Sequence, residues 1–331
     1  MKGGIGKIEM FKKTNILALI GGGKNPCFSP RKIIIWDDHH ANIIGILVFN
    51  KEVLNVRMRN EKIFGILENK IHIFNLNTLE SLKTLDTFHN PNGIIAMSSG
   101  EFDKLIISYP GTNQGCVDIR DCFDGNTIRF SKIIKAHESK IACLAINNNG
   151  TLLATSSDNG TLIRLFNISN GENISVFRRG TKTVSMICLT FSQNNIFVGC
   201  MSDVGTIHIF SIFDTNKKIN EQKAKINQTK NEIKNEIKNE IKNEIKNEIK
   251  NEIGSEPKNK KSILGKIGEL FNIPDHDRSF AKIRLHEEYG LLSFGNDNTI
   301  VVITKGGKYI KAAYDPKNGG NCQIIEEKYF F

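Results

Sequence analysis

The sequence predicts an all-β protein, a seven-bladed β-propeller with a long low-complexity loop inserted late in the chain. Three observations carry this. Short β-rich runs recur along the chain with turn signals between them. Such runs at intervals of ~8–12 residues belong to sandwiches, barrels or propellers. An internal echo selects the propeller: Ser157-Asp-Asn-Gly-Thr161-Leu-Ile-Arg-Leu-Phe166 parallels Ser202-Asp-Val-Gly-Thr206-Ile-His-Ile-Phe210, 45 residues on. That spacing matches the ~40–45-residue period of WD40-type blades. Setting aside an insert of ~50 residues leaves about 280, or seven units of about 40.

In chain order the strand runs include Lys32–Trp36, Ile43–Phe49, Ile71–Leu76, Lys104–Ser108, Ile141–Ile146, Leu162–Phe166, Thr206–Phe210 and Thr299–Thr304. Asn-Pro-Asn-Gly at 90–93, Asn-Asn-Asn-Gly at 147–150, Asp-Asn-Gly at 158–160 and Gly-Gly at 306–307 are the turns between runs. The domain reading is one propeller over residues 1–331, with the insert at 214–262. The insert is centred on six tandem Lys-Asn-Glu-Ile units, Lys230 to Ile253. As a helix each unit would advance ~400°, smearing Ile around the cylinder. The i,i+4 neighbours would be Lys–Lys and Glu–Glu, which repel. A disordered or partly helical loop is expected. In the following segment, 263–271, Ile263, Leu264, Ile267, Leu270 and Phe271 fall on one helical face near Lys258, Lys260, Lys261 and Lys266. A basic amphipathic segment of this kind suits membrane contact; the same face also suits packing on a blade.

The formal net charge of +10 favours anionic partners. The basic residues lack the interleaved aromatics of single-strand nucleic-acid grooves, so no nucleic-acid partner is expected. Seven cysteines without a CxxC pair read as free thiols in a reducing, cytoplasmic setting. No signal-peptide core or membrane-length apolar run is present, so any membrane contact should be peripheral. Gly21-Gly-Gly-Lys24 lacks the spacing and the Ser/Thr of a phosphate loop, and His39-His40 lacks the ligand spacing of a metal site. No enzyme, metal or cofactor is predicted, and the propeller is expected to be a monomer.

The residues that point to a ligand are Phe177-Arg178-Arg179-Gly180. Consecutive strand side chains face opposite ways, so two adjacent arginines serve two pockets rather than one. Guanidinium forks bind phosphate bidentately and stay charged at any physiological pH. The echo motifs supply hydroxyls and tight glycine turns to complete each pocket. The first would join Thr155, Ser157, Gly160, Thr161 and Arg164 to Arg178. The second would join Ser202, Gly205, Thr206 and His208 to Arg179 and Gly180.

With these motifs the sequence resembles the PROPPIN family, WD40-like propellers that bind polyphosphoinositides in autophagy and endolysosomal traffic. The likeness runs through Asn15–Pro26, Lys32–Asp38, Val53–Arg57, Leu67–Ile71, Thr87–Pro91, Ala136-His137, Ala154–Arg164, Phe177–Gly180, Ser279–Leu285 and Gly319-Gly320. It implies two rim sites for phosphatidylinositol 3-phosphate and the 3,5-bisphosphate, on the two residue sets just named. It also implies a membrane-entering loop where the insert lies, and autophagy or trafficking proteins as partners. Location would be cytoplasmic, peripherally on membranes bearing these lipids. The competing reading is a WD40-type protein scaffold without lipid binding.

Overall fold

The computed structural model describes residues 3–99, 104–122, 130–212, 278–286 and 288–330. The chain divides into two units: Met1–Ser211 with Asp277–Phe331, and Ile212–His276. The first unit is described below. The tandem repeats and the segment 263–271 lie outside the described residues.

The sheets of the first unit are blades of four antiparallel strands, with a short parallel strand added at the edge of the fifth. Blade one holds β1 (Ile5–Met10), β2 (Ile16–Gly21), β3 (Lys32–Asp37) and β4 (Asn42–Val48). Blade two holds β5 (Asn55–Arg59), β6 (Lys62–Ile66), β7 (Lys70–Asn75) and β8 (Ser81–Asp86). Blade three holds β9 (Ala96–Met97), β10 (Ile106–Pro110), β11 (Cys116–Asp121) and β12 (Phe130–Lys135). Blade four holds β13 (Ile141–Ile146), β14 (Leu152–Ser157), β15 (Leu162–Asn167) and β16 (Asn173–Arg178). Blade five holds β17 (Met186–Phe191), β18 (Phe197–Ser202), β19 (Thr206–Ser211) and β20 (Ala281–Arg284). Blade six holds β21 (Gly290–Phe294), β22 (Thr299–Thr304), β23 (Lys308–Ala313) and β25 (Gln323–Tyr329). Between β23 and β25 the chain crosses to blade five, where β24 (Gly320–Asn321) pairs parallel with β20.

The blade architecture is the one the sequence predicts, and the described residues supply six of the sheets.

Neighbouring blades share cores. Ile20, Ile33, Ile35, Met58 and Ile63 join blade one to two, and Phe64, Ile71, Ile107 and Tyr109 join two to three. Val117, Ile119, Leu153 and Phe166 join three to four, while Phe177 stacks on Phe210 across blades four and five, centroids 4.9 Å apart. Met201, Ile209, Ile300 and Ile310 join five to six. Each aliphatic side chain so buried contributes about 1.5–3 kcal/mol. Blades six and one form no such shared core among the described residues.

The innermost strands β5, β9, β13, β17 and β21 line a polar cavity of about 480 Å³ that includes Arg57 and Arg59. Glu9 on β1 takes both guanidiniums, at 2.8 and 2.9 Å, and so ties blade one to blade two.

Candidate functional site

The echo motifs fold into matching turns. Gly160 N–H donates to Ser157 O at 3.0 Å, and Gly205 N–H donates to Ser202 O at 3.0 Å. Both glycines take positive φ, +62° and +70°, where an L side chain is strained. At Gly160 a Cβ would also meet the Val184 carbonyl at 2.1 Å. Each turn therefore brings its Ser-x-x-Gly-Thr backbone close to a neighbouring element.

Strand pairing divides the arginines. Arg178 lies opposite Leu162, and Arg164 opposite both Thr155 and Val176. By alternation Thr155, Ser157, Arg164 and Arg178 share one face of blade four. Phe177 is on the other face, against Phe210 of blade five. Arg179 continues the ladder past the end of β16: its N–H donates to Thr161 O at 2.9 Å. Thr161, grouped with Arg178 on sequence, is thus placed across from Arg179.

The face carrying Arg178 looks onto a groove of about 590 Å³ lined by Lys132, Lys135, His137, Glu138, Arg164 and Asn173, among others. A closed hydrogen-bond cycle builds its wall. Arg164 NH1 donates to Ala136 O at 2.8 Å and to His137 Nδ1 at 2.8 Å. An arginine carries no acceptor, so Nδ1 is bare and His137 holds its proton on Nε2. That N–H donates to Thr155 Oγ1 at 2.8 Å, and the Thr155 hydroxyl faces Arg164 O at 3.5 Å. Burial first, then the Arg164 charge, lowers the His137 pKa to about 4, which keeps the ring neutral. Thr155, fully buried, therefore spends its hydroxyl on positioning His137 and Arg164. The half-buried Arg178 pairs with Leu162 through its backbone, and its guanidinium makes no hydrogen bond or ion pair among the described residues.

The second group assembles across the seam between blades four and five. On blade five, Cys200 pairs with His208 and His208 with Lys282. The next row places Thr206 opposite Arg284, and alternation puts both rows on one face. Arg179 approaches from blade four, its Nε donating to Gly160 O at 2.6 Å and its NH2 to Lys182 O. The two charges meet electrostatically: burial, then Arg179 and Lys282, lowers the His208 pKa to about 4. Burial lowers the Arg179 pKa from its ordinary value, and Asp203 opposes part of that effect. Ser202 Oγ and His208 Nδ1 are buried without a hydrogen-bond partner. Unspent polar groups at a buried site are costly in the free protein and are satisfied by a ligand that accepts and donates hydrogen bonds. Gly180 adds no steric demand, since nothing lies within 4 Å of a Cβ built there.

Two features escaped the sequence reading. Lys282 and Arg284 join the second group, although the insert separates them from β19. Lys132 and Lys135 enter the first groove from blade three. Cation spacing alone could have raised Lys282 and Arg284, since Lys-x-Arg on a strand places both charges on one face.

Both constellations collect cations, hydroxyls and tight-turn backbone on one edge of blades four and five, the donor set that anionic oxygens require. No helix of the described residues is long and apolar enough to cross a membrane.

Known proteins agree with this architecture. The chain is 28% identical to autophagy-related protein 18e of Arabidopsis thaliana, over 98% of this chain and 76% of that protein. It is 33% identical to autophagy-related protein 18 of Komagataella pastoris over 63% of this chain, and this match spans only 44% of that longer relative. Among solved structures, Kluyveromyces lactis Hsv2 aligns with a TM-score of 0.69 at 19% identity, over 99% of this chain and 87% of that one. A complex of KlAtg21 with the coiled coil of AgAtg16 aligns with a TM-score of 0.68 at 18% identity, over 98% and 84%. Residues 26–230 match the PROPPIN family model, and the chain belongs to the PROPPIN family.

Proposed function

We propose that this chain is a non-catalytic effector that docks on membranes by binding phosphatidylinositol 3-phosphate and phosphatidylinositol 3,5-bisphosphate through two rim sites. The observation that supports it most is the delivery of Arg178 and Arg179 to opposite faces of blade four, each beside its own set of hydroxyls and cations. The first site uses Arg178 with Ser157, Gly160 and Arg164, and is framed by Thr155, His137, Lys132 and Lys135. The second uses Arg179 and Gly180 with Ser202, Thr206, His208, Lys282 and Arg284; Thr161 sits beside it.

Two modest sites on one rigid body suffice, because the second headgroup binds at high effective concentration once the first is held. Ile263, Leu264, Ile267, Leu270 and Phe271 remain the proposed bilayer contact. Recruitment of autophagy or trafficking proteins to the lipid-bearing membrane is the proposed output, and the Atg21–Atg16 coiled-coil complex of a structural relative is consistent with it.

The test is liposome flotation with and without phosphatidylinositol 3-phosphate. Wild type should float only with the lipid, each single change, Arg178→Ala or Arg179→Ala, should weaken flotation, and the double change should abolish it with the circular dichroism spectrum intact. Equal flotation of wild type and double variant would leave the scaffold reading in its place.

A further inference from the structure

In three blades the glycine ahead of the third strand closes the blade in the same way. The Gly115 carbonyl of blade three accepts the N–H groups of Ala136 and His137, at 2.9 and 3.0 Å. The Gly205 carbonyl of blade five accepts Leu285 N–H at 2.8 Å, and the Gly307 carbonyl of blade six accepts Phe330 N–H at 3.0 Å. Each donor is main chain and comes from just past the fourth strand of its blade. Blade four departs from this pattern. The Arg179 N–H donates one residue further on, to Thr161 O at 2.9 Å, and the Gly160 carbonyl takes the Arg179 side chain instead, with Nε at 2.6 Å. The same guanidinium reaches Lys182 O through NH2. Val184 packs against Gly160 so closely that a Cβ there would collide with the Val184 carbonyl. The Ser157–Thr161 turn and the 179–184 loop are therefore interlocked around one arginine.

We propose that Gly160 positions Arg179, so that one turn serves both headgroup sites and an anion on the first strengthens the second. This rests on the two-site reading above. The first site draws Ser157 and Gly160 from this turn, while the second depends on the Gly160 and Thr161 carbonyls to hold Arg179. Gly160 N–H donates to Ser157 O at 3.0 Å, which ties the two ends of the turn together. An anion held at the first site restrains the turn and with it the carbonyls that orient the guanidinium. The second anion then meets a donor already in place and has less freedom to remove. Linkage makes the effect reciprocal. It differs from avidity, which needs both headgroups in one membrane; coupling through the turn acts on dissolved ligands as well. Repulsion between anions on opposite faces of the sheet works against it, but physiological salt screens exposed charges beyond ~8 Å.

Isothermal titration calorimetry of the full chain with dissolved dibutanoyl phosphatidylinositol 3-phosphate tests this without a membrane. Two molecules are expected per chain, with positive cooperativity. Arg178→Ala should keep one site, which binds about fivefold more weakly than the second step of the wild type. Adding Gly160→Ala to Arg178→Ala should weaken that remaining site about fivefold again, although Gly160 itself belongs to the first. Val184→Gly changes no group of either site; by loosening the loop it should reduce the cooperativity, with the circular dichroism spectrum unchanged, and it decides the matter if Gly160→Ala disturbs the fold. Two independent sites in the wild type, or an Arg179 site indifferent to both changes, would overturn the coupling and leave the two-site reading standing. A wild type that takes up one molecule or none would remove that reading, and the coupling with it.

Discussion

Acid should destabilise this protein through two desolvated, neutral histidines. His137 and His208 each have a pKa near 4 in the folded chain, lowered mainly by burial and then by neighbouring cations. In the unfolded chain both return to about 6.5. Between those values the unfolded state binds protons that the folded state refuses, so stability is full above pH 6.5 and falls as pH drops toward 4. At pH 5 the linkage relation gives about 2 kcal/mol lost per histidine, hence about 4 kcal/mol for the pair. Urea titrations at pH 7.5 and 5.0 measure the loss directly. His208→Asn should remove about half of it, because the substitution deletes one of the two proton-binding sites. A pH-independent midpoint, or a loss undiminished in His208→Asn, would refute the assignment of neutral, desolvated rings.

Two further outcomes follow from the site geometry. Thr155→Val takes the acceptor from His137 Nε2–H inside a buried cycle, a change worth about 1–3 kcal/mol; thermal melts should show the loss, with lipid affinity less affected than by Arg178→Ala. Lys282→Ala and Arg284→Ala should each weaken binding to phosphatidylinositol 3-phosphate vesicles about fivefold, since a well-placed cation adds ~1 kcal/mol near an anionic surface; undiminished binding by the double variant would remove them from the second site.

Local chemistry was the legible part of the sequence. Two Ser-x-x-Gly-Thr copies fold into the same turn because glycine alone takes the required φ without strain, and both glycines have it. The division of Arg178 from Arg179 followed from strand alternation. What the sequence concealed depends on contacts between distant segments. The role of Thr155 was hidden because its partner, His137, comes from the end of blade three. Lys282 and Arg284 were hidden because β20 follows β19 only after the insert, so no spacing rule links them to His208.

The second site draws Arg179 from blade four and its hydroxyls and remaining cations from blade five. An anion held there would act as a rivet through the joint between two plates, sharing shear with the Phe177–Phe210 stack and the Cys143 Sγ–Met186 O contact. Proteins open locally in cooperative units that often coincide with supersecondary motifs, and here a blade is such a unit. Occupancy at this joint would stiffen the ring at the place where the chain departs for its long insertion, so a membrane-bound molecule would resist peeling more than a free one.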